Sequence, residues 1–357
     1  MTSPRNRILA AVTTALAALA LAGCAPAPEQ GGATTDAASG YCARMVTNSG
    51  GLEDRSFNQS SWEGLEKASD EFGIDVDAIV STTETDLAPN VQQAVDTGCQ
   101  FILTVGFELA DATASQAADN PDVHFAIVDE VVDAPNVKPI VFDTAQASYL
   151  AGYLAAGVTK TGTVATFGGG NQPPVTLFMD GFVDGVAHYN EVHGTAVKTL
   201  GWSKESQDGV FTGDFEDISK GKSFAQSFID QGADVIMPVA GQVGEGAAAA
   251  AAESGTVSIV WVDNDGFETL PAEARPVVLT SVLKNTQDAV VDIVGGDIDG
   301  DFSSDPFIGT LANSGVDIAP YHDRSALVSE ELASEIDALR ASIVDGTIVV
   351  TSPSTPE

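Results

Sequence analysis

Residues with chemically useful side chains follow the apolar runs of this sequence, where buried strands would end. Eight of them are candidate ligand-binding residues: Asp54, Phe57, Asn58, Asp129, Phe215, Gly241, Asp263 and Lys284. Aromatic rings stack on a flat heterocycle, and carboxylates and amides accept hydrogen bonds from its N–H groups and amines. An ionised Asp holds vicinal hydroxyls, and a lysine donates to the oxygens that remain. The set therefore favours a nucleoside as the ligand.

Each of the eight residues has an expected role around such a ligand. Phe57 and Phe215 are predicted to sandwich the base, while Asp129 and Asn58 read its edge. The sugar is predicted to lie among the remaining four, which are Asp54, Asp263, Lys284 and the backbone of Gly241. We expect no cofactor, no metal and no catalytic residue at this site.

Strand and helix patterns alternate along the chain and must position these residues. Residues 42–48, 101–106 and 124–129 are apolar and β-prone, whereas 60–73 and 88–98 show helical periodicity. This βαβ rhythm predicts a parallel sheet with helices on both faces. A second set of such elements follows, so the predicted class is α/β, with two doubly wound parallel-sheet lobes and hinge crossovers. Ligands of open α/β sheets bind at the carboxyl ends of the strands.

The predicted boundaries divide the chain into four parts. They are an export signal (1–24), a flexible tether (25–40), lobe I (41–145, with part of 264–295 returning to it) and lobe II (146–263, with part of 296–357 returning to it). A chain of this length usually forms more than one domain.

The loop after the first strand carries several of the candidate residues. Its glycine pair at 50–51 permits a tight turn, and Asp54 and Phe57 are expected to enter the cleft. Ser56 or Asn58 is expected to cap the helix that follows. The alternative is a polar loop with Phe57 packed beneath it.

The N-terminus has the pattern of an exported lipoprotein. Arg5 and Arg7 precede an apolar stretch with small residues, which ends at Cys24. A basic start, an apolar core and small residues before a cleavage point are typical of an export signal. The sequence LAGC resembles a lipobox, so Cys24 is the expected lipidation site; an ordinary secretory signal is the alternative. Residues 25–40 are rich in Pro, Gly, Ala and Thr, which predicts a flexible tether.

Charge and cysteine content limit the functions that are possible. The net charge is −36, from 51 acidic and 15 basic residues, which disfavours binding of nucleic acid. Cys42 and Cys99 each stand at the start of a predicted strand. If those strands are parallel neighbours, a disulfide is available to them in an oxidising exterior. Two unpaired buried thiols are the alternative.

Several motifs resemble the "basic membrane protein" family of lipoproteins, which serve ABC importers and include purine-nucleoside receptors. They are GGLEDRSFNQSSWEGL (50–65), FAIVD (125–129), YLAGYLAA (149–156), GFVDGV (181–186), GDFEDISKGK (213–222), VAGQVGEG (239–246), WVDNDG (261–266) and TSVLK (280–284). The resemblance covers essentially the whole mature chain. It implies a type I periplasmic-binding-protein fold that closes on a nucleoside, with the same eight residues as ligand contacts. One departure is Gly266, where family members often carry Gln.

The predicted function is therefore an extracytoplasmic, lipid-anchored and monomeric receptor that delivers a nucleoside, with a purine as the expected base, to an ABC permease. Alternatives are a receptor for a sugar or autoinducer, a sensory binding protein, and a nucleoside hydrolase that uses the clustered acids.

The sequence lacks a Walker loop, and its four histidines lack the spacing of a metal site. Trp202 and Trp261 are expected to be core residues.

Overall fold

We describe the fold from a computed structural model, in which residues 40–356 are described. The predicted export signal, the lipidation site Cys24 and the tether up to residue 39 lie outside the described residues. No helix within 40–356 is both long enough and apolar enough to cross a bilayer.

The first lobe is built from alternating strands and helices. They are β1 (Cys42–Thr47), α1 (Phe57–Phe72), β2 (Asp75–Ile79), α2 (Leu87–Asp96), β3 (Phe101–Val105), α3 (Ala110–Asp119), β4 (His124–Val128) and β5 (Val137–Phe142). Every residue of β3 is buried, as a central strand covered on both faces requires. The helix α1 ends at Gly73, which adopts the left-handed conformation that closes a helix.

The second lobe repeats this alternation of strands and helices. Its elements are α4 (Thr144–Val158), β6 (Thr163–Gly168), α5 (Pro173–His193), β7 (Lys198–Leu200), β8 (Trp202–Ser203), β9 (Asp208–Gly209), α6 (Ile218–Asp230), β10 (Val235–Val239), α7 (Val243–Ser254), β11 (Ser258–Asp263), α8 (Gly266–Thr269) and β12 (Val278–Lys284). Short 3₁₀ turns occur at Glu84–Asp86, Phe107–Leu109, Arg275–Val277 and His322–Leu327. Trp202 and Trp261 are both buried in this lobe.

The last elements return to both lobes. They are α9 (Thr286–Ile298), β13 (Phe307–Gly309), β14 (Val316–Ile318) and α10 (Glu330–Val344). The helix α9 packs on α1 of lobe I, and β13 joins the edge of the first sheet. The strand β14 pairs antiparallel with β12 in the second sheet. The chain therefore crosses between the lobes three times, at Asp143, at Asn285 and at 310–315.

Each lobe contains one six-stranded sheet. The order is β13-β5-β4-β3-β1-β2 in lobe I and β14-β12-β11-β10-β6-β7 in lobe II. All pairings in the first sheet are parallel, and β14 is the antiparallel strand of the second. The predicted class of two parallel-sheet α/β lobes is confirmed. Because the strands are parallel, their carboxyl ends share one edge of each sheet, and both edges face the cleft.

A disulfide joins Cys42 at the start of β1 to Cys99 just before β3. The two strands are parallel neighbours, and the Cα atoms of the two cysteines are 4.9 Å apart. The bond closes a loop over a sequence separation of 57 residues, which contains α1, β2 and α2. It constrains lobe I far from the carboxyl ends of the strands.

Loss of this disulfide is expected to destabilise the protein by about 4 kcal/mol, since a loop of this length restricts the unfolded chain strongly. Urea unfolding with and without reductant measures the change. A Cys42→Ser/Cys99→Ser double variant is the control, because its stability should not respond to reductant. Equal stability of the oxidised and reduced protein would contradict the expectation.

Candidate functional site

A cavity of about 680 Å³, partly continuous with solvent, lies between the lobes at the carboxyl ends of the strands. All eight candidate residues line it: Asp54, Phe57, Asn58, Asp129, Phe215, Gly241, Asp263 and Lys284. The first four belong to lobe I and the others to lobe II. Their contact with a ligand remains a prediction.

Asp54 holds the start of α1 in place. Its carboxylate accepts hydrogen bonds from the backbone N–H groups of Ser56, Asn58 and Gln59 at 2.8–3.0 Å. The expectation that Ser56 or Asn58 caps this helix is therefore wrong. The hydroxyl of Ser56 instead donates to Asp263 of lobe II. Burial outweighs these hydrogen bonds and raises the pKa of Asp54 to about 6.

Lys284 bridges two carboxylates at the back of the cavity. Its ammonium group lies 2.5 Å from Asp129 Oδ2 of lobe I and 3.8 Å from Asp263 Oδ1 of lobe II. Asp129 directly follows β4 and Asp263 is the last residue of β11, and both have positive φ values, 65° and 67°, which are uncommon for residues other than glycine. Burial raises the pKa of Asp129, and the charge of Lys284 opposes that rise.

Two aromatic rings enter the cavity from opposite lobes. Phe57 is the first residue of α1, and the ammonium of Lys284 lies 4.6 Å from its ring centroid. Phe215 lies in the loop before α6, where its carbonyl accepts from the N–H of Val243 at 3.3 Å. That contact fixes the loop of Phe215 against the start of α7, beside Gly241. Both rings are half-buried and line the same space, as stacking on a flat ligand requires.

Some lining residues escaped the sequence analysis. Asn48 directly follows β1 and Glu108 lies three residues after the end of β3, so the rule that identified the other polar residues applied to them too. Phe178 also lines the cavity but lies inside α5, where an apolar residue is indistinguishable from a core residue.

The charge of the lining residues is strongly unbalanced. Four carboxylates face the cavity, from Asp54, Glu108, Asp129 and Asp263, against the single ammonium of Lys284. Within the described chain no group of three or more acidic, His or Cys side chains is arranged to hold a metal ion. An uncharged ligand rich in hydrogen-bond donors fits this lining, whereas a phosphate group would be repelled.

Residues Arg55 and Ser56 of lobe I are held by lobe II, and we call these contacts the lobe clasp. The guanidinium of Arg55 donates to the carbonyl of Thr269 at 2.7 Å and lies 3.3 Å from the carboxylate of Glu245. The carbonyl of Arg55 accepts from Trp261 Nε1 and Thr269 Oγ1, and the carbonyl of Ser56 from Asn264 Nδ2. Arg55 has a φ of 59°, an unusual value for a non-glycine residue.

Gly266 packs directly against the core of lobe II. A Cβ atom at this position would lie 2.6 Å from Cγ of Trp261, which is too close for any side chain with that indole in place. The glutamine that relatives often carry here therefore does not fit this chain. The buried position of the Trp261 indole therefore requires glycine at position 266.

Comparison with known proteins identifies the family. Residues 43–353 match the family described as "ABC transporter substrate-binding protein PnrA-like". The chain belongs to this family. The resemblance to basic membrane proteins is thereby confirmed, and the family is one of binding proteins rather than enzymes.

Curated relatives cover most of this chain. The "ABC transporter nucleoside-binding protein BmpA" of Lactococcus lactis subsp. cremoris is 31% identical over 98% of this chain and 99% of its own. A "CD4+ T-cell-stimulating antigen" of Listeria monocytogenes is 32% identical over 87% of this chain and 88% of its own. "Basic membrane protein A" of Borreliella burgdorferi is 28% identical over 85% of this chain and 86% of its own.

Solved structures confirm the fold. A solute-binding protein of an ABC transporter system from Aeropyrum pernix K1 superposes with a TM-score of 0.78 at 22% identity, covering 88% of this chain and 94% of its own. A second, from Conexibacter woesei, has a TM-score of 0.68 at 21% identity over 89% of this chain and 100% of its own. The periplasmic-binding-protein fold of this chain follows from these similarities.

The buried Asp54 is expected to make stability depend on pH. Its folded pKa of about 6 exceeds the unfolded value, so its stabilising protonated form is lost as pH rises from about 4 to 7. Relative to Asp54→Asn, the wild-type protein should lose on the order of 3 kcal/mol over this range. Urea unfolding of both proteins at several pH values measures the difference. A difference that does not change with pH would contradict the expectation.

Proposed function

We propose that this protein is an extracytoplasmic, lipid-anchored receptor that captures a nucleoside with a purine base between its lobes and delivers it to the permease of an ABC importer. The observation that carries the proposal is the cavity between the lobes, where phenylalanine rings of both lobes lie beside a carboxylate–lysine–carboxylate bridge. Membership of the substrate-binding family supports it, as does the name of the Lactococcus relative, a nucleoside-binding protein.

The apolar part of the cavity suits a base. Phe57 of lobe I and Phe215 of lobe II line the cavity, and Phe178, Val175 and Val239 add apolar surface. Stacking between a base and an aromatic side chain contributes about 1–3 kcal/mol per base. A bare sugar has no flat face to use these rings, so the base accounts for them better.

The polar part of the cavity suits a ribose. A ribose hydroxyl donates to a carboxylate and accepts from an ammonium group, and Asp129, Lys284 and Asp263 offer both kinds of partner side by side. The acidic lining disfavours a 5′-phosphate. A nucleoside therefore fits better than a nucleotide.

The mode of action is capture by lobe closure, without catalysis. The lobe clasp holds the lobes together next to the cavity, so closure and ligand binding strengthen each other. The closed lobes then present one surface to a permease. The predicted export signal and Cys24 support a position on the outer face of the membrane, and the family relationship supports an importer as partner.

Thermal unfolding and calorimetric titration of residues 41–357 test the ligand class. Guanosine, inosine or adenosine at 100 times its Kd should add about 2.7 kcal/mol of stability, whereas ribose should add none. Phe215→Ala should weaken nucleoside binding about 10- to 100-fold through lost stacking. Phe302→Ala is the control, since that ring stacks on His124 and does not line the cavity. Stabilisation by sugars alone would refute the nucleoside assignment.

Arg55→Ala is expected to weaken nucleoside binding about three- to tenfold, although Arg55 does not line the cavity. Its side chain stabilises only the closed lobes, so the loss should appear as faster dissociation in stopped-flow measurements. Alanine and arginine are both unfavourable at the positive φ of this position. The substitution therefore reports on the loss of the side-chain contacts and not on a change in backbone strain. Arg44→Ala is the matched control, because its ion pair with Asp75 lies within lobe I. Equal dissociation rates for the Arg55 variant and the wild-type protein would exclude a clasp.

A further inference from the structure

Glu108 is a cavity carboxylate with no strong partner. It lies in the short turn Phe107–Leu109 after β3 and lines the cavity. Apart from its own backbone N–H, it receives one long hydrogen bond, from Asn48 Nδ2 to Oε2 at 3.4 Å. Within residues 40–356 no Lys, Arg or His forms an ion pair with it. Burial raises the pKa of Glu108. Hydrogen bonds donated by a ligand would stabilise the ionised form of this buried carboxylate.

The backbone conformation of Gly106 leaves room for the Glu108 carboxylate. Gly106 has a φ of 111°, and a Cβ there would lie 2.6 Å from Glu108 Oε2 and 2.9 Å from Asn48 Nδ2. A residue with a Cβ would be strained at this φ and would displace the carboxylate or the amide, so glycine favours their contact over the end of β3.

The side-chain amides of Asn48 and Asn58 lie next to Glu108 and form a hydrogen-bonded chain with it. Asn58 Nδ2 donates to Asn48 Oδ1 at 2.9 Å, while Asn48 Nδ2 turns to Glu108. Asn58 Oδ1 has no hydrogen-bond partner although the residue is 1% exposed. Lys284, the only cation among the lining residues, is engaged by Asp129 and Asp263. Among the side chains of Asn48, Asn58 and Glu108, the groups without a strong partner are therefore oxygen acceptors.

We propose that Glu108 is a specificity-determining residue, which selects purine bases that present adjacent N–H donors, guanine before hypoxanthine and adenine. The inference rests on the proposed function and names the base. A carboxylate accepts two parallel hydrogen bonds, and guanine offers them from its ring N1–H and its exocyclic amine. Hypoxanthine offers the ring N–H alone. Adenine places an acceptor nitrogen beside its amine, and that nitrogen repels the second carboxylate oxygen.

The test compares guanosine, inosine and adenosine by calorimetric titration of the wild-type protein and Glu108→Gln. The wild-type protein should bind guanosine most tightly. The variant should lose tenfold or more for guanosine and less for inosine. It should bind adenosine equally or more tightly, because an amide both accepts from the adenine amine and donates to the ring nitrogen. Adenosine binding also shows that the variant is folded.

Glu84→Gln is the charge-matched control, because Glu84 is an exposed acid near Glu108 that does not line the cavity. It should leave all three affinities unchanged. An equal change in all three affinities for Glu108→Gln, or a wild-type preference for adenosine, would overturn the role of Glu108 alone. Failure of the wild-type protein to bind any of the three nucleosides would refute the proposed function itself.

Discussion

The bridge from Asp129 through Lys284 to Asp263 is the interaction on which the site depends. Lys284 is the last residue of β12, next to a crossover between the lobes, and its side chain is 2% exposed. A buried ammonium group needs compensating charge, and it receives that charge from one acid in each lobe. The position of the lysine therefore links the two sheet edges, the crossover and the floor of the cavity. Both acids have positive φ values at the points where their strands end.

The strand ends bring together residues that are remote in sequence. Parallel strands place all their carboxyl ends at one edge, so a polar residue just past each strand faces the same space. This constraint explains why a reading of strand ends placed all eight candidates around one cavity. The fold class was predictable for a related reason, since alternating strand and helix patterns strongly indicate parallel α/β sheets.

Other features could not be predicted because they depend on contacts between distant segments. Arg55 has the sequence context of an ordinary charged loop residue, and its partner Thr269 is 214 positions away. The helix cap was predicted wrongly since Ser and Asn are common caps, but the hydroxyl of Ser56 has a partner in the other lobe. Phe178 was missed because a helix facing both a core and a cavity shows one continuous apolar face. The secondary-structure propensity of the residues around each position does not reveal these long-range contacts.

The segment from Asp54 to Asn58 combines three tasks that would otherwise need separate elements. Asp54 organises the backbone that starts α1, and that backbone presents Phe57 and Asn58 to the cavity. The intervening Arg55 and Ser56 point the other way, into lobe II. Because neighbouring residues of one short turn contact the cavity and the opposite lobe, we expect a ligand that orders this turn to order the lobe clasp as well. In the proposed function, lobe closure and ligand recognition are thus coupled through the backbone itself, with no need for a longer pathway between them.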